Sequence, residues 1–500
     1  MFPLYRAEQI KRSEPVAAQT VGISMYELME RAGFAAFERL KQMAEPGAHI
    51  LVCCGSGNNG GDGFVVARQA AIEGYSVTLF QPKFCHSSTD DSSHAKQSWL
   101  NIGGNIENEF PNGEFELIVD GLLGTGLSGA VREEMLYVIR RINALQSKVL
   151  SLDVPSGLQA DTGVMLGGCV RADTTVSFIG AKTGLVTGRA KAVVGELFIA
   201  ELGVGEAFAD LERPVASIFD KPQALEVLPK RGECFHKGES GRATLVGGAA
   251  GFSGAIILAS QACARSGAGL VSVISSEQTQ APLLSRQPEI MVHSYDSGDL
   301  SELLIERVER CNALAVGPGL GQGEWGKKLL NLAFKQNQIS KVFDADALNL
   351  IANMDSVPDL TGSIITPHPG EASRLLGTSI QEVESDRYVA ARRLYEKYHA
   401  VTLLKGSGTI IYNGKEKFVI RAGNPGMASG GMGDVLTGIL VALLAQGLGP
   451  SEAATLGAWL HSTAADRVAA DGGKIGILAS DLLPHIRELM NLEGDLPRSS

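Results

Sequence analysis

Asp434 ends a glycine-rich run, AGNPGMASGGMGD, and opens an apolar one, VLTGILVALLAQ. Glycines allow close backbone approach and the free N–H groups of a helix start attract anions, so a phosphoryl group fits such a turn. An aspartate set there can take the proton from a hydroxyl that the phosphoryl group is to join. The positive helix end favours the ionised carboxylate and predicts Asp434 as a ready base, with a plain N-cap as the alternative. Upstream, KGSGT follows the apolar VTLL and offers Lys405, Gly406, Ser407, Gly408 and Thr409 to a nucleotide phosphate or its ribose. No GKS or GKT follows any glycine loop, which argues against a P-loop nucleotidase.

A second group of reactive residues lies in the first half. HILVCCGSGNNGGDG places Gly55, Gly57 and Gly60 in the spacing of a dinucleotide fingerprint, between a strand pattern and a helix pattern. The acid that should end the next strand and hold a ribose hydroxyl is missing, because YSVTLFQPKF has glutamine there. An ordinary NAD-binding Rossmann site is therefore not expected. Instead Asn58, Asn59 and Asp62, Asp120 in IVDGLLGTGLSG, and Asp153 with Ser156 in LDVPSG set oxygen atoms at three strand ends. Ligands of a parallel sheet gather at those ends, and an all-oxygen set suits a hard cation beside a polar substrate. Turn and cap chemistry uses the same residue types.

Alternating strand and helix patterns position these groups. HILVCC, FVVARQAAIEG, YSVTLF, ELIVD, VLSLDVP and TTVSFIG predict a doubly wound parallel sheet, preceded by a helix in SMYELMERAGFAAFERLKQM whose serine can cap it. The alternation restarts at RATLVGG and continues through AIILASQACARSG, LVSVIS, NALAVGPGLG, KVFDADALNLIA, GSIITPHPGE and VTLLKGSGTII. At 500 residues the chain exceeds one core, so two tandem three-layer α/β domains are expected, residues 1–220 and 221–500, with a linker around 208–228. A net charge of −11 excludes the basic footprint of a nucleic-acid binder. Seven cysteines in apolar contexts predict reduced thiols and a cytoplasmic protein. MFPLYRAEQIKRSEP is broken by charge and predicts no leader peptide, and the longest apolar stretch is too short to span a bilayer.

NNGGDG, VDGLLGTGL and DVPSG behind SMYELMERAG closely resemble the NAD(P)H-hydrate epimerase domain, a Rossmann-like fold, over nearly the whole first half. The resemblance implies that Asn58, Asn59, Gly60, Gly61 and Asp62, with Gly124, Thr125, Gly126, Leu127, Ser128, Gly129 and Ala130, bind the hydrated dinucleotide. It also implies that Asp153 contacts that substrate and that Asn59, Asp120 and Ser156 surround K+. The hydrate carries a hydroxyl on the ring carbon beside nitrogen, so the nitrogen lone pair can help expel water and either face can take it back. Asp153 is expected to shuttle the proton.

In the second half, GMGD behind PHPGE resembles the ribokinase-like superfamily, whose kinases carry Asn-x-x-Glu where this chain has His368, Pro369, Gly370 and Glu371. The histidine counts against a plain sugar or vitamin kinase. GGAAGFSGA, GPGLG, DADALNLI, TPHPGE, KGSGT and GNPGMASGGMGDVLTGIL in this order look like the ADP-dependent NAD(P)H-hydrate dehydratase over residues 229–490, with Ala250 and Phe252 where relatives often carry serine and methionine. That resemblance implies that Ala255, Gly319, His368 and Asp434 meet the substrate and that Lys405 to Thr409 with Gly433 hold ADP or ATP. It further implies Mg2+ on the phosphates, with Glu371 near it. The expected partners are NADHX, NADPHX and ADP, with no nucleic acid or membrane, in a homo-oligomer. A vitamin kinase with a regulatory first half, and a first half that only scaffolds partners, are the rival readings.

Overall fold

The computed structural model describes residues 2–234, 236–298 and 300–492. They fall into two units, Pro3–Ala216 and Ser217 onward, with Phe2 joined to the second. In the first unit the strand His49–Cys54 is buried on both sides: Ile50, Val52 and Cys54 enter one core, Leu51 and Cys53 another. A run apolar at every position after His49 suits a central parallel strand, whose side chains alternate between two covered faces. The sheet order is Ser76–Phe80, His49–Cys54, Leu117–Gly121, Lys148–Leu152, Thr174–Phe178, Glu196–Ala200, all parallel. Helices Met25–Leu40 and Asn58–Ile72 contribute to one core and Glu133–Ala144 to the other, which makes three layers. Ser24 caps the first of these by accepting from the Glu27 N–H at 3.1 Å. The strand order reverses between His49–Cys54 and Leu117–Gly121, where Cys53 lies opposite Asp120. A crevice opens at such a switch point.

The charged opening segment, for which only the lack of a leader was expected, is the helix Ala7–Thr20, which buries Ile10, Ala17 and Ala18 despite Pro15. Residues 208–228 are not a structureless linker either. They hold the end of the helix Gly205–Leu211, the strand Ala216–Ile218 and the helix Lys221–Val227, whose Pro222 sits in the first turn where no N–H is needed.

In the second unit the parallel strands run Met291–Ser294, Leu270–Ser275, Arg242–Val246, Ala313–Val316, Ser340–Phe343, Ile364–Ile365, Val401–Leu404. Thr409–Tyr412 and Lys417–Ile420 then continue antiparallel. The order again reverses, between Arg242–Val246 and Ala313–Val316, and the glycine loops GGAAGFSG and GPGLG follow those two strands. The helix Met432–Ala445 is buried from Val435 to Ala445. It packs on Ser253–Arg265 so closely that a Cβ on Gly438 would lie 2.0 Å from the Ala259 carbonyl oxygen. The longest apolar stretch of the sequence is thus a core helix, and no helix among the described residues is long and apolar enough to cross a membrane.

Candidate functional sites

In the first unit, the loop after His49–Cys54 leads straight into the helix Asn58–Ile72. Gly60 is required there, since a Cβ would stand 2.2 Å from the Gly55 carbonyl oxygen. Asn59 is buried; its Nδ2 donates to the Leu123 carbonyl at 3.2 Å while its Oδ1 has no hydrogen-bond partner. Asp120 is fully buried and accepts from Ser156 Oγ at 2.6 Å, Ser156 N at 2.9 Å and Ser151 Oγ at 2.8 Å. Burial pushes its carboxyl above the ordinary range, and the Ser156 and Ser151 donors offset only part of that. The orphaned Asn59 oxygen and the buried Asp120 carboxylate are linked through Ser156 and the Leu123 backbone, an oxygen set of the kind that suits a hard cation.

Asp153 has φ +60°, an uncommon left-handed conformation for a residue with a side chain. It sends one carboxylate oxygen into the fold: Oδ1 accepts from Ser177 Oγ at 3.3 Å, Phe178 N at 3.2 Å and Lys182 Nζ. Lys182 is itself buried and also donates to Ser177 Oγ at 3.1 Å and the Phe178 carbonyl at 3.0 Å. Among the described residues no hydrogen-bond donor reaches Oδ2, so the second oxygen is open to a ligand. A cavity of about 810 Å³ brings Asn58, Asn59, Asp62, Asp153 and Lys182 together with Gly124 to Ser128 and Ala130. Gly60, Gly61, Gly129, Asp120 and Ser156 do not line it: the first two shape the helix start, Gly129 is a φ +74° turn, and Asp120 and Ser156 are fully buried. Sequence reasoning missed Lys182 and Glu14, which also face the cavity. A lysine two residues past the buried run TTVSFIG was the available signal for the former.

In the second unit, Asp434 occupies the first turn of Met432–Ala445, after Gly431 at φ +88°. Burial, and then the nearby Asp344 carboxylate, push its carboxyl up to about 7 against the pull of Lys405. This corrects the expectation that the helix end keeps Asp434 readily ionised. The helix-start contribution of at most a few kcal/mol is outweighed by desolvation and a like charge. Asp344, at the end of Ser340–Phe343, is fully buried and accepts from Lys405 Nζ at 2.8 Å and Thr437 Oγ1 at 2.8 Å. Burial alone would raise its carboxyl, but Lys405 and the hydroxyl donors carry it below the ordinary range. Burial likewise disfavours the Lys405 ammonium, yet Asp344 and Glu371, the latter 3.7 Å away, raise it overall. A Cβ on Gly433 would lie 3.4 Å from Lys405 Nζ, so the helix start abuts this ion pair.

His368 Nδ1 accepts from Gly370 N at 2.9 Å, and Glu371 Oε2 accepts from His368 N at 2.8 Å, closing a cap on Pro369–Leu376. The histidine therefore does at this helix start what an asparagine does, and burial with the Lys405 cation nearby lowers its basicity. Gly319, at φ +59°, packs against Phe252 and Ala255, so GPGLG and GGAAGFSGA form one rim with an exposed Phe252. The KGSGT turn uses Gly406 at φ +141° and Gly408 at φ +64°, and Thr409 Oγ1 donates to the Gly406 carbonyl at 3.0 Å. The buried Arg387 supports it by donating to the Leu404 and Lys405 carbonyls at 3.2 and 3.1 Å. Asp344 and Arg387 were not singled out from sequence. An aspartate ending an apolar strand, in KVFDADALNLI, was the available sign of the first.

The first unit is a Rossmann-like domain with an oxygen-lined cleft, and the second is a ribokinase-like domain whose central helix begins at an acid beside a half-buried lysine. Comparison with known proteins narrows this. A family model described as NAD(P)H-hydrate dehydratase matches residues 243–488, and one described as the N-terminus of YjeF-related proteins matches residues 25–184. The bifunctional NAD(P)H-hydrate repair enzyme Nnr of Vibrio cholerae is 45% identical over 490 residues, 97% of this chain and 98% of its own. Nnr of Escherichia coli is 44% identical over 497 residues, covering 98% and 94%. A solved ribokinase-like superfamily protein of Enterococcus faecalis superposes with a TM-score of 0.50 at 31% identity, covering 55% of this chain and 94% of that one. The chain belongs to the family of bifunctional NAD(P)H-hydrate repair enzymes.

Proposed function

We propose that the chain restores hydrated nicotinamide dinucleotides, interconverting the R and S hydrates in its first unit and dehydrating the S form with ADP in its second. The observation that carries the second activity is the meeting of Asp434, raised to about 7, with the Lys405–Asp344 ion pair at one helix start. Asp434 removes the proton of the C6 hydroxyl, and the oxygen attacks the terminal phosphoryl group of ADP while AMP leaves. Lys405 and the amides around Gly433 neutralise charge on the phosphoryl oxygens. Hydroxide leaves poorly and phosphate well. The ring nitrogen lone pair expels phosphate, and loss of a C5 proton restores the 5,6 double bond. Mg2+, when bound, would offset phosphate charge, and Glu371, 3.7 Å from Lys405, is a candidate carboxylate to hold it with phosphate and water filling most positions. Ala255, Gly319 and His368 form the substrate side, and Lys405 to Thr409 with Gly433 the nucleotide side.

In the first unit the loops Asn58–Asp62 and Gly124–Ala130 hold the hydrate and Asp153 handles the proton at C6 through its open Oδ2. A cation at Asn59, Asp120 and Ser156 would be bound through amide, carboxylate and hydroxyl oxygen. K+ there would supply a fixed positive charge and orient Asn59. The test is incubation with a mixture of both hydrates and ADP. Complete return of NADH or NADPH absorbance, with stoichiometric AMP and phosphate, is the expected result. A stable phosphorylated product would indicate a kinase, and consumption of the S hydrate alone would reduce the first unit to a binding module.

A further inference from the structure

Epimerisation at C6 needs water to leave one face of the ring and arrive at the other, yet the reading above supplies one proton carrier, Asp153. A second acid enters the same cavity. Glu14, on the helix Ala7–Thr20, lines it with Asp153, Asp62 and Lys182. Its carboxyl is half-buried and has no hydrogen bond or ion pair among the described residues. Asp153, by contrast, is tied through Oδ1 to Lys182, Ser177 and Phe178. The two groups come from different elements, a helix and the residue that follows Lys148–Leu152, and line one cavity. We propose that Glu14 is the second catalytic residue of the epimerase, the acid–base group for the ring face opposite Asp153. The proposal rests on the epimerase reading of this cavity.

The charged groups around Glu14 divide the work. Burial, and then the Asp153 carboxylate, push Glu14 up to about 7, while Lys182 and Lys11 pull the other way. The buried Asp62 is also driven upward, by burial and by Asp153 and Glu14. A protonated acid facing a lysine-paired carboxylate is an arrangement in which one group gives a proton and the other takes one. Glu14 gives its proton to the C6 oxygen, the C6–O bond breaks with its electrons on the departing water, and the nitrogen lone pair forms the N1=C6 bond. A second water adds to the other face, the π electrons return to nitrogen, and Asp153 takes the proton released. Water enters and leaves, one proton crosses from Glu14 to Asp153, proton exchange of the two carboxyls with solvent water resets the pair, and the opposite epimer runs the same path backwards.

The test uses the full chain, purified Glu14→Gln, Asp153→Asn and Asp62→Asn variants, and hydrates in 18O-water. Glu14→Gln is expected to lower the kcat of epimerisation by ~100-fold or more, the scale of one acid–base group, with KM within threefold. It should leave ADP-dependent dehydration of the S hydrate unchanged, which shows that the second unit is folded, and its circular dichroism and melting of the first unit should match the parent. It should also still exchange the C6 oxygen of one epimer without inverting it, and Asp153→Asn should do the same for the other epimer. Glu14→Asp should recover part of the rate. Epimerisation by Glu14→Gln within threefold of the parent rate overturns the proposal, as does oxygen exchange confined to the same epimer in both variants. Asp62→Asn giving the Glu14 signature also overturns it. A parent chain that does not epimerise at all refutes the underlying reading instead.

Discussion

Replacing Asp434 with asparagine should make the protein more stable and nearly inactive as a dehydratase, and the stability gain should depend on pH in a defined way. The folded chain raises this carboxyl from an ordinary 3.8 to about 7, through burial and the neighbouring Asp344. About three units correspond to ~4 kcal/mol, and relaxation of a side chain that is not wholly enclosed brings the expected penalty nearer ~2 kcal/mol. A raised acid costs the fold nothing below pH ~4, where it is protonated folded and unfolded alike. The cost grows as pH rises and is complete above about 7, where it is charged in both states. Asp434→Asn, neutral at every pH, should therefore match the parent at pH 4 and exceed it by ~2 kcal/mol at pH 8.5 in urea unfolding followed by circular dichroism. Turnover of the S hydrate with ADP, read as NADH absorbance, should fall by 10²–10⁴-fold or more with nucleotide binding retained. The parent rate should climb with pH and level off just above 7, since the ionised base is the working form. A variant of equal stability at pH 8.5 would refute the burial argument, and one that keeps a tenth of the activity would refute the role of the base.

Asp344→Asn removes the nearest countercharge of the half-buried Lys405 and leaves only Glu371 at 3.7 Å, so the second unit should lose ~1–2 kcal/mol and the KM for ADP should rise, measured by denaturation and by initial rates. Asp120→Asn, or exchange of K+ for a bulky organic cation, should slow epimerisation while ADP-dependent dehydration by the same preparation continues, followed by separation of the two hydrates. Gly438→Ala sets a methyl 2.0 Å from the Ala259 carbonyl and should destabilise the second unit by ~2 kcal/mol or more, with the melting transition of the first unit unmoved in calorimetry.

Much of this architecture could be read from pattern because the deciding physics is local. HILVCC can only be a two-sided buried strand, and TTVSFIG and RATLVGG follow the same rule. The reactive loops were also legible, since glycine and aspartate stand at strand ends for reasons of backbone geometry that leave a trace in composition. Ala7–Thr20 was not. Its charges mask a face of only Ile10, Ala17 and Ala18, and Pro15 breaks the periodic signal without ending the helix. Glu14 was hidden with it. Lys182, Asp344 and Arg387 escaped for a different reason: each acts by being buried against a partner 29, 61 or 17 to 18 positions away in sequence.

The same distinction explains why the protonation state of Asp434 was misread while its place was not. A helix start is a local feature, and it favours the charged carboxylate by an amount fixed within one turn. Burial and Asp344 are products of tertiary packing, separated from Asp434 by 90 residues of chain, and both favour the neutral acid. A base needs the second pair of effects more than the first. A carboxylate left near 3.8 is abundant but too weak to draw a proton from an alcohol, whereas one near 7 is still half ionised at neutral pH and binds the proton about a thousandfold more tightly. Lys405 then sets the limit. Its attraction for Asp434 keeps the acid from rising further, and Asp344 holds that lysine in place at 2.8 Å. The pair thus fixes both how strong the base is and how much of it is present, and a Lys405→Met change should shift the rising limb of the dehydratase pH profile to higher pH as well as weaken nucleotide binding. A limb that stays near 7 in that variant would show that burial alone sets the base.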